Sequence, residues 1–156
     1  MKNSFELLID KLDKDHKSLL NWFFDNKNKQ ILGWPKPFNR NLLASKAKGI
    51  YKPKGYKHAL SIRVSLNSPY DDNFTKIKDG KFILKYFQEN LDIRYRDVEY
   101  TNISLKKCIN DVVPIGVLMQ IKKSPDPVYK VLGPAIVKSW NKGFFEVIGF
   151  SNTGEI

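Results

Sequence analysis

Apolar residues recur at helical spacing between positions 8 and 23. This spacing predicts a helix over residues 4 to about 29, with Ser4 as its N-cap. The polar stretch at residues 13–17 interrupts the apolar pattern, so we expect it to face solvent together with His16. The three aromatic residues at positions 22–24 are expected to pack in the core.

The pattern changes after residue 30. Two prolines and a glycine predict a loop over residues 31–40. Alternating or short apolar runs bounded by turn residues then predict strands over residues 58–66, 82–87, 115–121, 128–132, 135–140 and 144–148. Turns are indicated at Asp79-Gly80 and at Asn141-Lys142-Gly143, the latter as a hairpin between the last two strands. A short helix over residues 102–110, capped by Asn102, separates the second and third strands.

This order of elements predicts an α+β fold, an N-terminal helix followed by a strongly curved β-sheet or barrel. The length of 156 residues suits a single domain, residues 1–156. Its expected parts are the N-terminal helix (1–30), a basic loop region (31–48) and a curved barrel core (49–150).

Charge is distributed unevenly along the chain. The whole sequence carries 27 Lys and Arg against 16 Asp and Glu, a net charge of +11. Residues 31–70, here called the acid-free stretch, contain eight basic side chains and no Asp or Glu. Such a segment favours contact with a polyanion such as nucleic acid. The candidate contacts to the DNA backbone are Lys46, Lys48, Lys52, Lys54, Lys57 and Arg63.

Catalytic and metal-binding signatures are weak. One cysteine, Cys108, and two histidines exclude an internal disulfide framework and a multi-cysteine zinc site. Cys108 falls on the apolar side of the predicted short helix, so we expect a buried, unreactive thiol. We therefore expect no cofactor, no metal and no catalytic residue in this chain. No apolar run is long enough for a signal peptide or a membrane span, and we expect a cytoplasmic protein without membrane contact.

One carboxylate set leaves an enzymatic alternative open. Asp71 and Asp72 precede Asp79 and Lys81, a combination that resembles the Mg²⁺-binding groups of restriction nucleases. The spacing between the two pairs is too short for a strand crossing, and Asp79 already belongs to the predicted turn.

A series of short motifs carries a family resemblance. In chain order they are Gly49-Ile50, the run from His58 to Asp72 that ends in Ser-Pro-Tyr-Asp-Asp, Asp79-Gly80, Leu84–Phe87, Asn102–Leu105, Val113–Leu118, Tyr129–Val137 and Trp140. Together they resemble the SRA (SET and RING associated, or YDG) domain over about residues 49–150. Bacterial domains of this kind resemble the recognition part of modification-dependent restriction endonucleases.

The resemblance implies a PUA-like curved barrel that binds duplex DNA and holds a modified cytosine flipped out of the stack. It assigns the aromatic walls of the base pocket to Tyr70 and Tyr86. Asp72 would accept the cytosine amino hydrogen, with Asp71 as the alternative acceptor. A hairpin through Asp79-Gly80 is expected to bring the two tyrosine rings near each other.

Two departures from the family pattern leave the preferred modification open between 5-methylcytosine and 5-hydroxymethylcytosine. Ser68-Pro69 replaces a double glycine, and Phe87-Gln88-Glu89 replaces a Thr-Gly element. Phe87 and Gln88 are the remaining residues of the expected base pocket. A nuclease domain in the same polypeptide or complex is the expected partner besides modified double-stranded DNA. Other possibilities are a B3-like or PUA-like barrel that binds unmodified DNA or RNA without flipping, and a small Mg²⁺-dependent nuclease.

Overall fold

The computed structural model describes residues 2–33, 49–65, 74–87, 100–123, 125–141 and 143–156. The helices within them are α1 (Ser4–Ile9), α2 (Lys14–Asp25) and α3 (Tyr100–Asp111). The strands are β1 (Gln30–Leu32), β2 (Ile50–Tyr51), β3 (Ser61–Ser65), β4 (Phe74–Lys76), β5 (Phe82–Phe87), β6 (Ile115–Lys122), β7 (Val128–Asn141) and β8 (Phe144–Gly149). The α+β class predicted from the sequence is confirmed.

Within the described residues the strands form one eight-stranded sheet. Its order is β2-β3-β6-β7-β8-β5-β4, and β1 also pairs with β7. All pairs are antiparallel except β3 with β6. No hydrogen-bonded ladder joins the β2 and β4 ends in this part of the chain, so the described sheet is open rather than a closed barrel. The sheet is nevertheless strongly curved, because Ile50 of β2 and Phe82 of β5, far apart in the strand order, belong to one core cluster.

Strand β7 joins the two halves of the sheet. Its first part pairs with β6 and its last part with β8, and Ala135 faces partners in both. This change of pairing partner occurs two residues after Gly133. Gly133 has a φ of 111°, which glycine adopts readily and other residues adopt only with strain. Pro134 has no N–H to donate, but its carbonyl accepts a bond from the Phe150 amide at 3.0 Å. The two strands expected over residues 128–140 are therefore one bent strand.

The predicted N-terminal helix is wrong in its continuity, because two side chains start separate helices. Asn3 Oδ1 accepts a bond from the Glu6 amide at 2.8 Å and caps α1. Asp13 Oδ1 accepts a bond from the His16 amide at 2.9 Å and caps α2. Carboxylates and amides compete with the helix for backbone donors in this way. Ser4 is not the cap; its hydroxyl donates instead to Glu155 at 2.8 Å.

Other boundaries also differ from those predicted. Residues 31 and 32 belong to β1 rather than to a loop, and residues 34–40 lie outside the described residues. Asn102 does not cap α3, since it is buried inside a helix that already includes Tyr100. The hairpin at residues 141–143 is confirmed, with Asn141 opposite Phe144.

The core lies on both faces of the sheet. One cluster fills the concave interior between the strands and α3, and the other lies between the sheet and α1–α2. Phe23 of α2 is fully buried and packs directly on Gly116 of β6, where any Cβ would overlap its ring. The first five residues of β6 are thus buried from both sides. None of the described helices is long and apolar enough to cross a membrane.

Candidate nucleic-acid interface

Tyr86 projects from β5 into the concave interior of the sheet. Phe82, Leu84 and Tyr86 alternate with more exposed residues, as expected when one face of a strand is buried. Tyr86 retains only 9% of its exposure and belongs to the interior core cluster. A base could reach this ring only from the interior side of the sheet.

The Tyr86 hydroxyl lies against Gly49, just before β2. A Cβ built on Gly49 would overlap this hydroxyl and lie 3.2 Å from the ring carbon that bears it. The Gly49 carbonyl accepts a bond from the Arg63 amide of β3 at 2.7 Å. Strand β5 is sixth in the sheet order and β2 is first, so this contact crosses the interior. It brings a predicted pocket wall and a glycine of the motif series together, beside the main chain of Arg63.

Of the other predicted pocket residues, only Phe87 lies within the described structure. Phe87 follows Tyr86 in the strand, so its side chain lies on the opposite face. There its ring meets Phe144 edge-on, with centroids 4.7 Å apart. Tyr70, Asp71, Asp72 and Gln88 lie outside the described residues.

The predicted hairpin through Asp79-Gly80 is present, but its first strand is β4 rather than the alternating strand β3. The turn at Asp79-Gly80 joins β4 to β5, and the hydrogen-bonded neighbours of β5 are β4 and β8. Strand β3, which begins the run toward Tyr70, pairs with β2 and β6 instead. Strands β3 and β5 therefore face each other across the interior rather than as hairpin partners.

The predicted phosphate contacts differ in availability. Lys54 and Lys57 are exposed, whereas Lys52 is half-buried and donates to the Tyr56 carbonyl at 2.9 Å and the Pro53 carbonyl at 3.4 Å. Lys52 therefore closes the loop that presents the other two. Lys46 and Lys48 lie outside the described residues.

Residues that the sequence did not single out hold this loop in place. The Tyr56 ring packs on His16, with centroids 5.0 Å apart, and His58 bonds to the Asp111 carboxylate at 2.6 Å. Burial lowers the pKa of His16 to about 4, so the imidazole is neutral at pH 7. The hydrogen bond from His58 lowers the pKa of Asp111.

The expectation that His16 faces solvent is wrong, and the sequence contained a signal against it. His16 lies three residues before Leu19, four before Leu20 and seven before Phe23, so it shares the apolar face of α2. A single polar residue on that face is easily assigned to the polar run around it. No comparable signal exists for the His58–Asp111 pair, which is far apart in sequence.

Replacing Lys54 and Lys57 with alanine should weaken DNA binding and its salt dependence together. Each lost phosphate contact should reduce the log–log salt slope by roughly 0.9, for modified and unmodified duplexes alike. Fluorescence anisotropy over a salt series measures the slope. Lys106→Ala/Lys138→Ala removes the same charge from exposed sites elsewhere and should leave the slope unchanged. Equal slopes in the two double variants would exclude the loop from the interface.

Groups suited to metal or nucleophilic chemistry are not gathered in the described structure. It contains no group of three or more His, Cys, Asp or Glu side chains that could hold a metal ion. Asp79 lies exposed in a tight turn with φ of 61°. The Cys108 thiol is buried as predicted, and desolvation raises its pKa to about 12.

No protein-family model and no curated protein matches the chain. Among solved structures, the chain is similar to the SUVH5 SRA domain bound to hemimethylated CG DNA. The identity is 23% and the TM-score 0.47, over 68% of this chain and 74% of that one. For a SUVH5 SRA complex with methylated CHH DNA, the identity is 23% and the TM-score 0.41, over 70% of this chain and 77% of that one. For KRYPTONITE in complex with mCHG DNA and SAH, the identity is 16% and the TM-score 0.48, over 97% of this chain and 42% of that chain.

Proposed function

We propose that this chain is an SRA-like DNA-recognition domain. It binds duplex DNA containing 5-methylcytosine or 5-hydroxymethylcytosine and flips the modified base into the concave interior of the sheet. One observation carries the proposal: the Tyr86 hydroxyl packs against Gly49 beside Arg63. Two separate motifs of the SRA resemblance thereby meet in space, beside the main chain of Arg63.

The chemistry of a flipped cytosine fits the residues assigned by the resemblance. An extrahelical base loses stacking worth a few kcal/mol, which the ring faces of Tyr70 and Tyr86 can restore. Its N4 amino group needs an acceptor, and the carboxylate of Asp72, or alternatively Asp71, is suited to it. A carboxylate close to DNA phosphates is otherwise unfavourable, so its presence favours base-edge contact.

Phosphate contacts supply the affinity that is independent of the base. Lys54 and Lys57 are exposed on a loop that Lys52 closes and His16 supports. Ordering this loop before binding reduces the entropy lost on association. Specificity and affinity are thus assigned to different parts of the domain.

The proposed biological role is that of the specificity module of a modification-dependent restriction endonuclease. Cleavage would belong to a nuclease domain in the same polypeptide or in a complex. This part of the proposal is supported by the resemblance to bacterial recognition domains of that kind.

The proposal predicts a fluorescence change on binding. A 2-aminopurine beside the modified cytosine should brighten with the wild-type protein, because flipping removes a stacking neighbour, and brighten much less with Tyr70→Ala. One lost base–aromatic contact should weaken binding by about 1–3 kcal/mol. Matched duplexes containing cytosine, 5-methylcytosine or 5-hydroxymethylcytosine rank the modifications.

Tyr100→Ala is the matched control, since it removes a tyrosine that is 54% exposed on α3. It should leave the fluorescence change intact. If 2-aminopurine fluorescence does not increase for any duplex that binds tightly, flipping is wrong and the base is read in the groove. Equal affinity for all three duplexes would contradict recognition of the modification.

A further inference from the structure

A second basic feature lies near the turn that begins β5. Here a cleft of about 100 Å³ opens between the β4–β5 hairpin and the first part of β7. Three lysines line it, Lys76, Lys81 and Lys130, with Asn28 beside them. Its apolar lining includes Phe74, Phe82 and Leu132. We call this feature the lysine cleft.

The lysine cleft is separate from the predicted base pocket. Tyr86 and Phe82 are four residues apart on the same strand, which separates their positions by roughly 13 Å along β5. Tyr86 faces Gly49 near one end of the strand, whereas the cleft lies beside the turn at the other end. One duplex phosphate beside the flipped base therefore does not account for both.

The positive charge of the cleft is not neutralised within the described structure. No carboxylate is among the described residues that line it. Asp79, in the adjacent turn, is exposed and does not line the cleft. The ammonium groups of Lys76, Lys81 and Lys130 make no hydrogen bond or ion pair with any described residue. Three like charges around one small cleft repel one another, and a bound anion would relieve that repulsion.

The backbone around the cleft is fixed in advance. Lys27 Nζ donates to the carbonyls of Gly80 and Phe150, at 2.7 Å each. The Asn152 amide donates to the Asp79 carbonyl at 2.8 Å. These bonds tie the turn that carries Lys81 to the ends of α2 and β8. Preorganised donors lose less entropy when a ligand binds.

We propose that the lysine cleft binds a phosphate group. Several separated cationic donors suit an anion whose charge is spread over several oxygens, and the volume fits one phosphate rather than a whole nucleotide. The apolar lining suits the carbon side of a phosphoester. The phosphate comes either from a nucleic-acid backbone or from a free phosphate or small phosphoester.

NMR titration of the full chain tests this proposal. Inorganic phosphate should produce saturable shifts of the amides around Lys81 and Lys130. Lys81→Ala/Lys130→Ala should weaken that binding by about tenfold or more, as expected for lost charge-assisted hydrogen bonds. Lys106→Ala/Lys138→Ala removes the same net charge at exposed sites outside the cleft and should leave the phosphate affinity unchanged.

A second titration, with a short unmodified duplex, distinguishes the sources. Shifts of the cleft amides by the duplex, reversed by inorganic phosphate, support a nucleic-acid backbone. Shifts by phosphate alone support a small phosphate ligand. No saturable shift with either probe, or an equal loss in both lysine variants, overturns the proposal. The result is independent of base recognition, which the 2-aminopurine assay reports at the other end of β5.

Discussion

Phe23→Ala should lower the free energy of unfolding by about 3–5 kcal/mol, the range found for large-to-small substitutions of buried aromatic residues. Phe23 is fully buried and fills the space that Gly116 leaves open above β6. Its removal creates a cavity where α2 attaches to the sheet, and both partners are held by other contacts that oppose collapse.

Urea denaturation monitored by circular dichroism measures this loss. Leu7→Ala is the control, because Leu7 is 61% exposed on α1 and its truncation should change stability by about 0.5 kcal/mol or less. A loss below about 1 kcal/mol for Phe23→Ala, well under the usual range for such a site, would show that α2 contributes little to the stability of the sheet.

Gly49→Ala should lower both stability and affinity for modified DNA, and Tyr86→Phe should restore much of each. The new methyl group overlaps the Tyr86 hydroxyl, so the ring must move, at a typical cost of about 1–3 kcal/mol. Gly49 does not have a positive φ, so the alanine adds no backbone strain and the contact alone is tested. Without the hydroxyl, the nearest ring carbon is 3.2 Å away, a distance that a small shift can relieve.

A double-mutant cycle gives the coupling between the two positions, expected at about 0.5–3 kcal/mol. Unfolding and binding of the modified duplex are measured for the wild type, both single variants and the double variant. An equal cost of Gly49→Ala with and without the Tyr86→Phe substitution would show that the contact matters to neither property.

Local patterns predicted the elements that they specify directly. Short apolar runs next to turn residues predicted β5 and β8, and Asn141-Lys142-Gly143 predicted the turn between β7 and β8. The single strand β7 was predicted as two because a glycine and a proline usually end a strand. Here a bulge at Leu132, next to Gly133, and a bond to the Pro134 carbonyl let the strand continue.

The order of the strands in the sheet could not be predicted from local sequence patterns, because it depends on pairing between strands that are distant in sequence. The alternation in β3 gives no sign that its partner is β6, which lies far along the chain and runs parallel to it. The order of the motifs was enough to single out Tyr86 and Gly49. Only the fold shows why position 49 holds a glycine, since a side chain there would overlap the Tyr86 hydroxyl. The expectation that the alternating strand β3 is the hairpin partner of β5 failed for the same reason as the strand order.

The two ends of the described chain are hydrogen-bonded to each other. The segment that is synthesised first therefore cannot complete its contacts until the last segment has been made. The Phe5 amide donates to the Gly154 carbonyl at 2.9 Å, and Ser4 bonds to Glu155. Strand β1 likewise needs Lys130 and its neighbours as partners. On the ribosome, α1 and β1 emerge before the rest of the sheet, yet their partners are made near the end of the described chain. This early segment cannot complete the packing around Phe5 and Ile9 until the last strands of the sheet have left the exit tunnel.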